Sequence, residues 1–316
     1  MPLREKKRTY HMNILITGGA GYIGTELTYE LAKSSKVDQI IIYDNLSRGN
    51  INLFIGSRKL SDKIKFVQGD ILDTRLLKQT LKDIDVVYHL AAKVTTPFAD
   101  QNPHIFEQIN HWGTAELVYA VEESEVKKII YTSSASVYGA SSHEADEKTI
   151  PDPKTFYGIS KLRGEEHINR LFEKNIDTYI IRCGNIYGYS KSMRFDSVIN
   201  KFMFDGHFKG RISINGTGQQ HRSFIHIDKT VNILNNLIFS DLKQGKFDLV
   251  EDNLTISHIA ETFKNIYPDL EMLFINQQLK MRELKVKPNE KLNSLTDIPV
   301  RTLYQVLSEF KKAFTF

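Results

Sequence analysis

Thr17-Gly18-Gly19-Ala20-Gly21-Tyr22-Ile23-Gly24 is the stretch whose reading decides the fold. Gly18, Gly21 and Gly24 recur at every third position, after an apolar run from Asn13 to Thr17 and before a helical pattern from Gly24 to Leu31. Glycine lets a chain turn tightly off a strand and lets backbone N–H groups approach a pyrophosphate. The helix that follows brings its positive end to the same place. An ordinary strand-to-helix turn also tolerates glycine, so the flanking strand and helix carry the weight of the reading.

Working outward, a β-branched run from Gln39 to Tyr43 ends in Asp44. This acid lies about 20 residues past the last glycine, the spacing at which a carboxylate takes the ribose hydroxyls of adenosine. A negative charge there repels a 2′-phosphate and favours NAD over NADP, although Arg48 nearby keeps NADP open. Asp70 follows a third run, Ile64 to Val67. It either accepts from the adenine amino group or is an isolated loop aspartate.

Further runs at Val86 to Leu90 and Lys128 to Ser133 enclose a helix around Thr114 to Glu123. Strands that alternate with helices predict a parallel sheet, and strands apolar throughout predict one covered on both faces. The fold class is therefore α/β, a doubly wound Rossmann sheet. Pro151 and Pro153 precede a second long helix bearing Ile159, Leu162, Ile168, Leu171 and Phe172, with Asn175 as its stop and a strand from Thr178 to Arg182 beyond it. Past Tyr187 the alternation becomes irregular. We expect a flexible extension over 1–11, an NAD-binding domain over 12–186 and a smaller, mainly substrate-binding domain over 187–316, with some segments returning to the first core. The stripe Leu303, Val306, Leu307 and Phe310 in the last helix is packing information only.

The chain has 316 residues, a formal net charge of +4 and one cysteine, Cys183. The charge is too mild to predict nucleic-acid binding. One cysteine permits no internal disulfide and fits a reducing, cytoplasmic setting. Cys183 lies in an apolar run and reads as a small buried hydrophobe. No run is long enough to span a membrane. The basic residues Arg4, Lys6, Lys7 and Arg8 are not followed by an apolar segment, so they do not read as a secretory signal.

Tyr157 and Lys161 stand four residues apart on the second long helix and share a face. A phenol with an ordinary pKa of about 10 is a poor base at neutral pH, and lowering it to about 7 requires roughly 4 kcal/mol. A nearby ammonium and a positive nicotinamide ring favour the phenolate. By chance the same spacing gives a mere surface pair. Its place after the strand ending Tyr131-Thr132-Ser133-Ser134-Ala135-Ser136-Val137-Tyr138-Gly139 makes it more specific. A hydroxyl on that strand end can bond both a substrate oxygen and the tyrosine. Plain capping of the strand suits Ser133 and Ser136 better than Ser134.

Taken in order, these stretches resemble the extended short-chain dehydrogenase/reductase family, in its NAD-dependent nucleotide-sugar epimerase/dehydratase branch. The resemblance spans roughly residues 12 to 240. It rests on the glycine turn, Asp44-Asn45-Leu46, Gly69-Asp70-Ile71, His89-Leu90-Ala91-Ala92, Asn110-x-x-Gly113-Thr114 and the serine strand. Tyr157-Gly158-x-Ser160-Lys161, Arg182-x-x-Asn185-x-Tyr187-Gly188 and the run from Gly216 to Asp228 complete it. It implies Ser134, Tyr157 and Lys161 as catalytic residues. It implies NAD contacts from Gly18, Gly21, Tyr22, Ile23, Gly24, Asp44, Asn45, Asp70, Ile71, Ala91, Tyr157 and Lys161, and no metal. Ser134, Asn185 and Arg222 would hold the nucleotide-diphosphate sugar, the last two its diphosphate, for which an arginine fork is suited. It also implies a homodimer.

Within that branch the 4,6-dehydratases resemble one another in a Thr-Asp-Glu at the serine-strand end, and the UDP-glucuronate decarboxylases carry a Glu there. This chain has Ser134-Ala135-Ser136 instead and looks most like the 4-epimerases, in particular those acting on UDP-glucose. A keto-sugar reductase, a dehydratase using water in place of the acids, and a non-catalytic NAD-binding protein are the rival readings. Lys229 replaces a usual second aspartate, Asn215 replaces a usual aromatic, and Arg282 is only a candidate for a second diphosphate arginine.

Overall fold

The computed structural model describes residues 11–55, 60–94, 102–140, 143–278 and 281–314. The extension expected over 1–11 therefore lies, except for His11, outside the described residues.

The first half runs β1 (Met12–Thr17), α1 (Tyr22–Ala32), β2 (Val37–Asp44), β3 (Ile64–Gln68), α2 (Thr74–Thr80), β4 (Val86–His89), α3 (Pro103–Phe106), α4 (Gly113–Glu122), β5 (Lys128–Ser134), α5 (Phe156–Asn169) and β6 (Asp177–Cys183). Between α3 and α4 the helix widens to π geometry over Glu107–Trp112. The second half runs β7 (Asn185–Tyr187), α6 (Val198–Lys209), β8 (Arg211–Asn215), β9 (His221–His226), α7 (Ile227–Leu237), β10 (Gly245–Leu249), β11 (Asp252–Thr255), α8 (Ile256–Ile266), β12 (Glu271–Ile275), α9 (Glu290–Asn293) and α10 (Leu303–Lys312).

Seven strands form one sheet in the order β10-β6-β5-β4-β1-β2-β3, every pairing parallel. Its inner strands are mainly apolar because alternate residues feed two cores. Ile14 and Ile16 enter one core and Leu15 the other; Ile130 and Ile129 part in the same way, as do Ile181 and Ile180. This is the period of two expected of a sheet covered on both faces.

The chain leaves β1 for β2 and β3, then crosses back to build β4 on the other side of β1. Such a switch opens a crevice at the carboxyl ends of the two strands. β10 joins the far edge of the sheet from late in the chain, while β11-β9-β7 and β12-β8 form two small separate sheets. The region expected to be irregular past Tyr187 thus holds regular but short elements.

Candidate active site

A cavity of about 870 Å³ opens at the switch point. Every residue singled out above as a site residue lines it, with the exception of Asp70. Asp70 instead accepts from the Asn45 side chain at 2.9 Å and from the Leu72 N–H at 3.0 Å, so it shapes the turn that presents Asn45.

The glycine turn is built for close approach. Gly18 has φ +70°, and a Cβ there would sit 2.6 Å from the Ala91 nitrogen on the neighbouring strand's exit loop. A Cβ on Gly24 would stand 2.6 Å from the Gly19 carbonyl oxygen. Gly21 caps α1 without any side-chain bond, which leaves the helix's first N–H groups for another acceptor. Asp44 closes this end: its carboxylate accepts from the Ala20 N–H at 3.1 Å and the Leu46 N–H at 2.8 Å, and burial raises its pKa. A cradle without side chains, an uncapped helix N-terminus and a carboxylate beside it together fit an adenine dinucleotide.

Ser134 ends β5, directly beside Cys183 at the end of β6. Its hydroxyl accepts from the Ser136 N–H at 3.1 Å and so starts the tight turn Ala135–Tyr138. Helix α5 presses on this turn. Thr155 caps α5 by accepting from the Gly158 N–H at 3.0 Å, and a Cβ on Gly158 would meet the Ser136 carbonyl at 2.6 Å. The close approach brings Tyr157, 8 % exposed, up to Ser134.

Burial pushes the Tyr157 phenol up, while the Arg194 charge and the Ser134 hydroxyl pull it back. Lys161 is 2 % exposed, and burial lowers its pKa to about 7, against the pull of Cys183 and Glu165. Its ammonium lies 4.3 Å from the centre of the Tyr131 ring. The expected ammonium beside the phenol thus takes a different form in the chain alone: the cation acting on Tyr157 is Arg194. Sharing a helix face fixes where the two side chains start, and Lys161 then runs toward the ring.

A hydrogen-bond path ties the glycine turn to Tyr157. The Ala91 N–H reaches the Thr17 hydroxyl at 3.4 Å, Thr17 pairs with His89 Nδ1 at 2.7 Å, and His89 Nε2 pairs with Thr114 at 2.9 Å. Thr114 donates to the Asn110 carbonyl, so His89 Nε2 is the donor in its pair and Nδ1 the acceptor. Burial lowers the His89 pKa to about 3, which keeps the ring neutral as this direction requires. The Asn110 side chain holds both backbone groups of Lys93 and donates to Ser160, which donates to the Tyr157 carbonyl. Asn110 sits in the π-helical turn, a distortion frequent at functional sites.

Arg222 and Asn185 both line the cavity. Arg222 donates to the backbone carbonyls of His221 and Arg282, and Asn185 donates to the Ser223 carbonyl. Arg282 and Asn215 line the cavity too. Arg194 was not found from the sequence. It donates to the Val94 carbonyl at 2.6 Å and pairs with Asp196 at 2.7 Å, on a loop with no motif of its own. Cys183 is buried as expected, but on the cavity wall, and burial raises its thiol pKa to about 12.

Residues 14–241 match the model of the NAD dependent epimerase/dehydratase family. A Methanocaldococcus jannaschii protein provisionally named a UDP-glucose 4-epimerase is 34% identical over 68% of this chain and 69% of its own length. The human dTDP-D-glucose 4,6-dehydratase is 33% identical over 74% of this chain, and the match covers 66% of the human protein. For the Dictyostelium discoideum dehydratase the covered share falls to 56%. Among solved structures, UDP-glucuronic acid 4-epimerase from Bacillus cereus, in complex with UDP-glucuronic acid and NAD, superposes with a TM-score of 0.82. It is 26% identical, over 96% of this chain and 100% of that one.

Proposed function

The chain belongs to the NAD dependent epimerase/dehydratase family, and from that premise we propose that it is a nucleotide-sugar 4-epimerase acting on a UDP-sugar. One observation carries the choice of reaction. Beside Tyr157 the cavity wall is formed by Ser134, Ala135, Ser136 and Cys183, and among the described residues Asp44 is the only carboxylate on the whole lining. Eliminating water from a sugar calls for an acid at the reacting end, and Asp44 stands instead at the end of β2, bonded to the glycine turn.

In this reading the glycine turn and the N-terminus of α1 hold the NAD pyrophosphate, and Asp44 and Asn45 hold its adenosine end. When bound, NAD supplies a reversible hydride acceptor for a sugar carbon. Tyr157 takes the proton from the sugar 4-hydroxyl at its Oη and later returns it. Ser134 orients that hydroxyl. Lys161 supports the phenolate, and Arg194 adds positive charge on the same side. Asn185, Arg222 and Arg282 anchor the diphosphate while the sugar turns over between two faces. Residues 12–186 serve as the NAD-binding domain and 187–316 mainly as the substrate domain, with β10 completing the first.

Incubating the protein with NAD and with UDP-, GDP- and dTDP-sugars tests the assignment. Epimerisation leaves product mass unchanged and alters retention; dehydration loses water; a binding protein yields no product. Loss of water from every accepted sugar would overturn the 4-epimerase reading.

Two expectations accompany it. NAD should bind more tightly than NADP, and Asp44→Ala should narrow the gap, since a carboxylate at the ribose repels a 2′-phosphate. Calorimetric titration with both dinucleotides checks this, and tighter NADP binding by the wild type would refute it. The chain should also pair through α4 and α5, where Tyr119 is 36% and Phe156 40% exposed, together with Trp112, 53% exposed at the end of the π-helical turn that precedes α4. A two-fold contact would cover these rings. Light scattering at micromolar concentration should report a dimer; a monomer contradicts the pairing.

A further inference from the structure

We propose that Asp248 is a positioning residue for Ser134, holding through Tyr138 and Arg182 the turn that begins at Ser134 and loosening it when it takes up a proton. The inference rests on the catalytic reading of Ser134 and Tyr157.

The geometry is a buried polar chain behind the cavity wall. Glu165 stands one turn after Lys161 on α5 and receives a two-pronged contact from Arg182, Nε to Oε1 at 3.0 Å and Nη2 to Oε2 at 2.7 Å. Ser133 donates to the same Glu165. Arg182 also donates from Nη1 to the Tyr138 hydroxyl at 2.9 Å, and that hydroxyl lies 2.9 Å from each oxygen of Asp248 on β10. The residue before Ser134 and the end of the turn after it are therefore both fastened to one buried ion pair. Asp248 is the outer member that fixes which way the Tyr138 hydroxyl points. Because Tyr138 accepts from Arg182, it donates to Asp248, whose two oxygens are both free to accept only while it is ionised.

A protonated Asp248 becomes a donor itself. It then competes with Arg182 for the Tyr138 oxygen or leaves its own proton unpaired in a dry site. Asp248 is fully buried, and burial raises its pKa to about 7. The groups acting on it are Tyr138 from the turn, Arg182 and Cys183 from β6, Glu165 from α5 and Glu147 from the segment before α5. Helix α9, which also packs on β10, turns its charged residues Glu290 and Lys291 to solvent. The network thus carries Glu165, Arg182 and an Asp248 whose charge changes near neutrality.

The test compares wild type, Asp248→Asn and Tyr138→Phe across neutral pH. Infrared difference spectra of the wild type should show a protonated carboxyl band titrating near pH 7 that Asp248→Asn lacks, and Tyr138→Phe should move its midpoint by about one pH unit or more. With an accepted nucleotide sugar, wild-type kcat should rise on the order of tenfold through that midpoint at unchanged KM, the scale of a misplaced catalytic group. Both variants should lose the tenfold component that follows the carboxyl band and keep only the rise that Tyr157 itself contributes. A band absent from the wild type, a midpoint unmoved by Tyr138→Phe, or a rise in Asp248→Asn as large as that of the wild type would each overturn the proposal. Should Asp248→Asn fail to fold, Tyr138→Phe carries the same comparison. If Tyr157→Phe keeps full turnover, the catalytic reading fails instead, and the infrared arms still decide whether Asp248 titrates through Tyr138.

Discussion

Tyr157→Phe is expected to lower turnover roughly 10²-fold or more, the scale of losing a general acid–base group, while NAD affinity and the unfolding temperature stay near wild type. The substitution removes one oxygen from a ring already packed edge-on against Phe106. Ser134 keeps its own bond from the Ser136 N–H, so the turn it starts is not released. Ser134→Ala should be milder, because water can occupy the space of the lost hydroxyl. The pH dependence separates two states of the site. In the chain alone, burial raises the Tyr157 pKa, so ultraviolet titration should show no phenolate from it at neutral pH. Catalysis, by contrast, should rise with pH along an apparent pKa well below about 10. That lowering comes from positive charge brought to the phenol: Arg194, Lys161 when protonated, and the nicotinamide. Near-normal turnover by Tyr157→Phe with a physiological nucleotide sugar would place the base elsewhere.

Much of this site could be read in the sequence because its signals are local. The glycine triplet, Asp44 at the end of β2 and the four-residue spacing of Tyr157 and Lys161 each state their geometry within a single strand, turn or helix. Arg194 could not be read in this way. Its loop is held over α1 by Thr25 donating to Ser192 at 2.8 Å and Asn200 donating to the Arg194 carbonyl at 3.0 Å, and the first of these joins residues far apart in the chain. Nor could Asp248, which meets Tyr138 only because β10 joins the sheet beside β6. In the C-terminal part, strands of three to six residues and helices of four to twelve alternate too quickly for a lasting period to show. Composition gave no hint that Cys183 would face the cavity, since burial and wall position satisfy the same apolar pattern.

Lys161→Met should abolish more activity than Tyr157→Phe, by roughly 10³-fold or more on the scale of groups acting as a unit, and should at the same time stabilise the fold. Both effects have one cause. Lys161 is buried, and its pKa is lowered to about 7 from the ordinary lysine value, chiefly by burial. Below pH 7 the folded protein must carry an ammonium that the unfolded chain holds in water, so the cost to stability is present in full. Between pH 7 and about 10.4 the unfolded chain still binds the proton and the folded one no longer does, so stability rises with pH. Above that range the term vanishes. Methionine has a similar shape and no charge to desolvate, so the variant should unfold at a higher temperature at pH 6. The gain is on the order of 5 kcal/mol, less the lost attraction between the ammonium and the Tyr131 ring. The difference should shrink as pH approaches 10. Calorimetric scans of both proteins at several pH values check the sign. A variant less stable than wild type at pH 6 would mean that Lys161 contributes more through its contacts than its burial costs. The site would then be held together by the lysine rather than strained by it.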